Sequence, residues 1–170
     1  MTTATARSIL ANSSVTIRPI TAADSQLEKD FIRTLSAETK YYRFLCGVNE
    51  LSPTELRRLC NVDGRHSMAF VATVNIDGRE VEVGVCRYAE GTKAEVREIG
   101  ITIADSWAHK GLAELLLRHL IDYAKSHGVK RLYSVDLVDN TAMRDVAAEF
   151  GMSKRADPED ASQVIYSLAL

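Results

Sequence analysis

The sequence predicts one α/β domain in which helices cover a mixed, mostly antiparallel sheet. Two observations predict this fold. Several runs alternate apolar and polar side chains, and the segments between them carry apolar residues every three or four positions. A chain of 170 residues has the length of one domain with a sizeable core. Its 46% hydrophobic and 26% charged residues are typical of a globular chain.

The beginning of the chain predicts a tail followed by a strand. Residues 1–14 are mostly small or polar, so we expect a flexible N-terminal tail and a domain that spans residues 15–170. Residues 15–20 alternate as a half-buried strand does. The proline near the end of this run favours a sheet edge or a strand terminus.

Three helices are predicted next, because apolar residues recur at helical spacing after good capping residues. They cover residues 21–35, 37–45 and 53–61. The third has the clearest start, since Ser52, Pro53 and Glu55 occupy the cap, the first helical position and the third. This arrangement is typical of a capping box.

The middle of the chain predicts an antiparallel meander. Residues 68–74 and 81–86 alternate, and residues 75–78 between them supply turn-forming Asn, Asp and Gly. Residues 96–103 alternate again and form a third strand. One face of that strand carries Ile99, Ile101 and Ile103, and the other carries Glu98, Gly100 and Thr102.

The last third of the chain continues this strand as a β-α-β-α-β unit. Leucines at helical spacing predict the longest helix, which Gly128 ends as a left-handed cap. The predicted segments are the helix 111–127, the strand 131–138, the helix 140–150 and the strand 163–170.

Composition disfavours several classes of protein and partner. The formal net charge of −2 does not suit nucleic-acid binding, and no apolar run approaches the ~18 residues of a membrane span. The three cysteines form no CxxC pair and the four histidines lack metal-ligand spacing, so we expect no disulfide framework and no metal. The first residues lack the apolar core of a secretory signal, which favours the cytoplasm, although a short organelle-targeting peptide is an open alternative.

The junction between residues 96–103 and the helix at Gly111 is the most informative segment. A helix start with small residues, here Gly111 and Ala113, offers free N–H groups and a positive dipole end to a phosphate. Neither a Walker loop nor GxGxxG occurs there. The alternatives are an ordinary strand-to-helix turn and a site for a different phosphate ligand such as a nucleotide.

This junction resembles the pyrophosphate loop of the GNAT superfamily, the acyl-CoA-dependent N-acetyltransferases. That loop follows the fourth strand and has Gln or Arg at its first position, Gly at its fourth and Gly or Ala at its sixth. Residues 108–113 match at Gly111 and Ala113, whereas Ala108 departs from the pattern. Further similar segments occur in the family's order over about 15–155. They are residues 16–19, 41–44 and 105–107, and Asn140 with Met143 and 150–152.

Two segments are similar to the bacterial protein-lysine acetyltransferase, or Pat-type, branch of this superfamily. They are the Arg43–Phe44 pair and residues 61–66. The resemblance implies a GNAT-like three-layer αβα sandwich that binds acetyl-CoA and acetylates a small-molecule amine or a protein lysine. It places Tyr41, Tyr42, Arg43, Arg65 and His66 on the acceptor side. A homodimer is compatible with this interpretation.

The resemblance also implies roles for the residues around the junction. The backbone of Ile101, Thr102 and Ile103 would pair with the pantetheine arm as an added strand does. The pyrophosphate would be held by His109, Lys110, Gly111, Leu112, Ala113 and Glu114. Asn140 would contact the cofactor, and it is equally well suited to cap a helix.

Glu98 is the candidate general base. Acetyl transfer needs a neutral amine, and a lysine ammonium has a pKa of about 10.4, so a base must accept its proton directly or through water. The resemblance to the Pat-type branch implies a glutamate base at this position. The alternative is that Glu95, Arg97 and Glu98 form an ordinary solvated charge cluster on an edge strand.

The acid that protonates the departing thiolate is not the usual one. Many relatives place a tyrosine seven residues after the asparagine, but this chain has Ala147 there, so Tyr133 or a water would take that role. Ala108 and Ala147 motivate a second hypothesis: a degenerate GNAT-like regulatory module that binds acyl-CoA without catalysis.

Overall fold

The computed structural model describes residues 5–45, 50–91 and 93–170, and its strands form one sheet. The strands are β1 Ala6–Leu10, β2 Ser13–Pro19, β3 Met68–Ile76, β4 Arg79–Glu90, β5 Val96–Ile103, β6 Arg131–Leu137, β7 Ser153–Ala156 and β8 Gln163–Ala169. Their order across the sheet is β1-β2-β3-β4-β5-β6-β8-β7. All neighbouring pairs are antiparallel except β5 and β6, which run parallel. The prediction of a mixed, mostly antiparallel sheet is confirmed.

Helices cover both faces of this sheet. They are α1 Ser25–Thr34, α2 Ala37–Phe44, α3 Pro53–Cys60, α4 Leu112–Ser126 and α5 Thr141–Glu149. One buried core joins α1 and α3 to the sheet through Ile32 and Leu56. A larger core on the opposite face joins α4 and α5 through Leu116 and Val146. The arrangement is the three-layer αβα sandwich that the resemblance implies, and none of the described helices is long and apolar enough to cross a membrane.

Helix boundaries follow from local capping. The Ser52 hydroxyl accepts a hydrogen bond from the Glu55 N–H, and the Glu55 carboxylate accepts one from the Ser52 N–H at 2.7 Å, which is the predicted capping box. Gly128, with φ of 78°, follows α4 and turns the chain toward β6. A 3-10 turn at Ala22–Asp24 precedes α1, so this helix begins later than predicted.

The expectation of a flexible tail over residues 1–14 is wrong from residue 6 onward. The strand Ala6–Leu10 pairs with β2 through a tight turn at Ala11 and Asn12, both of which have positive φ. Leu10 packs against the larger core, which explains why this edge strand is ordered. Residues 1–4 of the proposed tail lie outside the described residues.

The parallel pair is the part of the sheet that positions the site. β5 and β6 pair only where Val96–Glu98 meets Arg131–Tyr133. Beyond this point β5 continues beside β4 as far as Ile103, and β6 continues beside β8 as far as Leu137. The two strands therefore diverge and leave an opening in the middle of the sheet.

Candidate functional site

A cavity of about 400 Å³ occupies the opening between β5 and β6. Its walls come from β5, the loop and first turn of α4, the second half of β6, the start of α5, and α2. Most of the residues predicted to bind the cofactor or to catalyse line it together. They are Glu98, Ile101, Thr102, Ile103, His109, Leu112, Ala113, Glu114 and Asn140. Lys110 and Gly111 are predicted binding residues that do not form part of this lining.

The edge of β5 offers backbone groups to a ligand. Over Arg97–Ile103 the strand pairs with β4, but on its other side it pairs with β6 only as far as Glu98. The backbone groups of residues 101–103 that point away from β4 therefore face the cavity without a strand partner among the described residues. An extended ligand with amide groups can pair with such an edge.

The N-terminus of α4 forms the outer end of the cavity. Gly111 caps this helix with φ of 80°, and no described side chain caps it. The first intrahelical bond runs from the Leu115 N–H to the Gly111 carbonyl at 3.1 Å, so the preceding N–H groups of the helix have no intrahelical acceptor. A Cβ at Gly111 would meet only the Leu10 side chain, at 3.8 Å, among the residues that the structure describes. This open, uncapped helix end can accept an anionic group.

The Lys110 side chain lies against an aromatic ring. The Lys110 Nζ lies 5.4 Å from the centroid of the Trp107 ring, which is within range of a cation–π contact. The preceding His109 has φ of 56°, so the chain turns sharply here before the helix begins.

Asn140 is a helix cap and also lines the cavity. Its side-chain oxygen accepts a hydrogen bond from the Met143 N–H at 3.1 Å, which satisfies an N–H of the first turn of α5. Its amide nitrogen donates to the Asp136 carboxylate at 3.5 Å. The capping role is therefore confirmed, and the cofactor contact is compatible with it.

Glu98 extends into the cavity beside Tyr133. The Tyr133 hydroxyl donates a hydrogen bond to the Glu98 carboxylate at 3.1 Å, and the two residues are direct neighbours across β5 and β6. Burial, followed by the charge of Glu98, raises the pKa of Tyr133. Tyr133 therefore orients the carboxylate and keeps its own proton.

Arg97 is not part of a solvated charge cluster, which was the alternative interpretation of Glu95, Arg97 and Glu98. Arg97 is 6% exposed, and its guanidinium donates to the backbone carbonyls of Ala94, Val96 and Arg65. Because successive side chains of a strand alternate, Arg97 and Glu98 lie on opposite faces. Glu98, unlike Arg97, is exposed, and it lines the cavity.

Arg43 of α2 lines the cavity against β5. Its guanidinium lies 3.5 Å from where a Cβ on Gly100 would sit, so the glycine gives this side chain room against β5. Burial, and then the charge of Arg87, lower the pKa of Arg43 to about 10. Of the other residues assigned to the acceptor side, Tyr42 lines the cavity, whereas Tyr41, Arg65 and His66 do not.

Asp105 fixes α2 in this position. Its carboxylate accepts hydrogen bonds from the Ser36 N–H and hydroxyl at 2.8 Å each, and from the Thr39 hydroxyl at 2.7 Å. The loop that follows β5 is thereby joined to the first turn of α2. These contacts hold Tyr42 and Arg43, one to two turns further along α2, at the cavity.

Two polar residues of β6 line the cavity and were not singled out from the sequence. Ser134 is 3% exposed, and both its hydroxyl oxygen and the Oδ2 of Asp136 are buried without a hydrogen-bond partner among the described residues. Burial raises the pKa of Asp136. The sequence carries no signal for them, because a polar residue in an alternating strand is ordinarily on its solvated face.

No group of three or more His, Cys, Asp or Glu side chains comes together as a metal site among the residues that the structure describes. Cys60 and Cys86 are buried free thiols, and Cys46 lies outside the described residues.

Comparisons with known proteins identify relatives of this chain. A family model described as an acetyltransferase (GNAT) domain matches residues 14–153. The acetyltransferase PA5475 of Pseudomonas aeruginosa is 44% identical over 156 residues, which cover 92% of this chain and 84% of that protein. The acetyltransferase Pat of Mycolicibacterium smegmatis is 29% identical over 136 residues, which cover 79% of this chain and 40% of that protein.

The fold is also similar to solved structures. The GNAT domain of PAT from S. lividans superposes with a TM-score of 0.87 at 24% identity, and the match covers 98% of this chain and 97% of that domain. The structural comparison thus shows a shared fold.

Proposed function

Because this chain belongs to the GNAT acetyltransferase family, we propose that it transfers an acetyl group from acetyl-CoA to a primary amine. The observation that carries the proposal is the cavity between the diverging strands, which extends from Glu98 to the open N-terminus of α4. Such a cavity suits a long donor with an anionic group at one end and a reactive thioester at the other.

The donor would lie along β5. Its pantetheine amides would pair with the free backbone edge at residues 101–103. Its pyrophosphate would accept hydrogen bonds from the N–H groups of Leu112, Ala113 and Glu114. The thioester would then lie near Glu98, at the end of the cavity where the strands meet. Asn140, already fixed as a cap, would contact the arm from the opposite wall.

Glu98 would act as the general base. It accepts a proton from the attacking amine directly or through water, and the neutral nitrogen attacks the thioester carbon. A strand N–H near Ile101 would donate to the thioester oxygen as that oxygen gains negative charge. The C–S bond then breaks, and the products are the acetylated amine and CoA.

Of a protein lysine and a small-molecule amine, we favour the protein lysine as the acceptor. The resemblance of the Arg43–Phe44 pair and residues 61–66 to the Pat-type branch supports this choice, as does the 29% identity to the acetyltransferase Pat. Tyr42 and Arg43, which line the cavity from α2, would form the acceptor side.

Release of free thiol from acetyl-CoA, measured with a panel of amines, tests the proposal. The panel contains lysine-bearing peptides and proteins, free amino acids and polyamines. We expect one class of amine to accelerate thiol release in proportion to enzyme, with the acetyl group recovered on its nitrogen. Binding of acetyl-CoA without thiol release from any acceptor would instead support the regulatory module that Ala108 and Ala147 suggest.

A further inference from the structure

Buried polar atoms without a hydrogen-bond partner among the described residues converge on the donor cavity. They include the Thr102 hydroxyl, the Ser134 hydroxyl and the Asp136 Oδ2. Polar atoms buried in this way cost free energy unless a partner satisfies them. Because all three line the same cavity, a ligand that enters it can supply the partner. Ser134 and Asp136 also lie two residues apart on one face of β6, and the Ser134 hydroxyl is close enough to the Asp136 carboxyl to affect its pKa.

The register of β6 places this pair along the path of the donor. Ser134 directly follows Tyr133, the last residue of β6 that pairs with β5 and the neighbour of Glu98. Asp136 lies two residues further out, ~6.6 Å along the strand and on the same face. The Asn140 amide donates to it there at 3.5 Å. Ser134 therefore lies beside the point where β5 and β6 separate, and Asp136 lies further along the cavity wall.

We propose that Ser134 and Asp136 form a proton-donating pair for the thiol that leaves the acyl donor. This inference rests on the proposed acetyl transfer. When the C–S bond breaks, its electron pair goes to sulfur. The Ser134 hydroxyl gives its proton to that sulfur and takes one from the Asp136 carboxyl, which becomes a carboxylate. Solvent returns a proton to Asp136 after CoA leaves, and Glu98 releases the proton it took from the amine.

The surroundings of Asp136 raise the pKa of its carboxyl. Burial raises its pKa and the charge of Glu98 on β5 raises it further, while the Ser134 hydroxyl and Arg43 on α2 lower it in part. Tyr166 on β8 also interacts with Asp136, and Asp145 on α5 lines the same cavity. Tyr133 does not compete for this role, since its hydroxyl already donates to Glu98.

Two variants test the pair, Asp136→Asn and Ser134→Ala, with Asp122→Asn on the exposed face of α4 as the matched control. The assay uses acetyl-CoA and the amine that gives the fastest thiol release, and calorimetry gives the Kd of acetyl-CoA. We expect kcat to fall ~100-fold in both variants, as for loss of a general acid, while Kd changes less than about twofold. The control keeps the wild-type values.

The pH profile separates proton donation from a structural role. Proton donation by the pair predicts that kcat falls as Asp136 loses its proton, because only the protonated carboxyl can resupply Ser134. Asp136→Asn removes this pH dependence, whereas a merely structural role of Asp136 lowers kcat by the same factor at every pH.

A wild-type kcat in either variant would overturn the proposal. A loss of acetyl-CoA affinity with normal kcat at saturation would do the same, because it would assign the pair to binding. Failure of the proposed function itself is seen separately, as absence of acetyl-CoA binding or of thiol release by the wild type. Ser134→Ala keeps the test decisive if Asp136→Asn does not fold, since it removes only one buried hydroxyl.

Discussion

Individual side chains in the cavity depend on contacts with distant parts of the chain. Glu98 could be proposed from its position on an alternating strand, but its hydrogen bond from Tyr133 joins residues 35 positions apart. Ser134 and Asp136 could not be found from the sequence, because only the divergence of β5 and β6 turns their side chains into a cavity wall. Tertiary contacts, not local pattern, give these residues their roles.

Glu98→Gln tests the base at the level of one residue. The amide keeps the size of the side chain but cannot accept the proton, so we expect kcat to fall ~100-fold or more. The Kd of acetyl-CoA, measured by calorimetry, should be unchanged. Glu95→Gln, an exposed glutamate just before β5, is the matched control. Equal kcat in the Glu98 variant and the wild type would remove Glu98 as the base.

At the scale of secondary structure, alternation and capping residues predicted most elements. The capping box at Ser52 and the long helix with its terminal glycine are confirmed. Two edge strands were missed: Ala6–Leu10 and Ser153–Ala156. The second has every side chain exposed, so it lacks the apolar alternation that marks a strand. Pairing with a neighbour, which the sequence does not display, holds both in place.

Gly111→Glu tests the open end of α4. A carboxylate in the space above the helix N-terminus would exclude the pyrophosphate, so acetyl-CoA binding should be lost while the fold is kept. Gly128→Glu is the control, because Gly128 lies beyond the other end of α4. Its φ is 78°, against 80° for Gly111, and the surroundings of both glycines are open. The backbone strain is thus matched. Calorimetric titration should show wild-type affinity in the control only, and wild-type affinity in Gly111→Glu would contradict the assignment.

Asp105→Ala tests the attachment of α2. The variant loses hydrogen bonds to Ser36 and Thr39, so we expect the free energy of unfolding in urea to fall by about 1–2 kcal/mol. Tyr42 and Arg43 would lose their fixed position, which should raise the KM of the acceptor more than that of acetyl-CoA. Ser106→Ala, at the next residue, serves as control. An unchanged stability together with unchanged KM values would show that these contacts do not position α2.

At the scale of the whole molecule, the two helix layers differ in what they bury. Both layers cover an apolar core, and the layer with α1 also covers Glu28, Glu82 and Arg87. There Arg87 donates to Glu28 at 2.7 Å, and both oxygens of the 4%-exposed Glu82 lack a partner among the described residues. Burial, and then the charge of Glu28, raise the pKa of Glu82. The fold therefore holds this carboxyl in its neutral form.

This buried carboxyl predicts how stability depends on pH. Above the ordinary pKa of 4.5 the unfolded chain loses the proton that the folded chain keeps, so stability falls as pH rises. The slope from one such group is at most about 1.4 kcal/mol per pH unit. Glu82→Gln should flatten the dependence between about pH 5 and 9, measured by urea unfolding. Glu90→Gln, at an exposed residue of the same strand, should leave the pH dependence unchanged. An equal slope in the wild type and in both variants would contradict this account.

The donor cavity is the central claim at this scale, and calorimetric titration of the protein with acetyl-CoA tests it most directly, with CoA and ATP as comparison ligands. We expect acetyl-CoA and CoA to bind with similar affinity and ATP to bind far more weakly, because only the first two have an arm that can lie along β5. A hundredfold excess of acetyl-CoA over its Kd should also stabilise the fold by about 2.7 kcal/mol. No binding of either CoA ligand, or equal binding of ATP, would contradict the assignment of this cavity to an acyl-CoA donor.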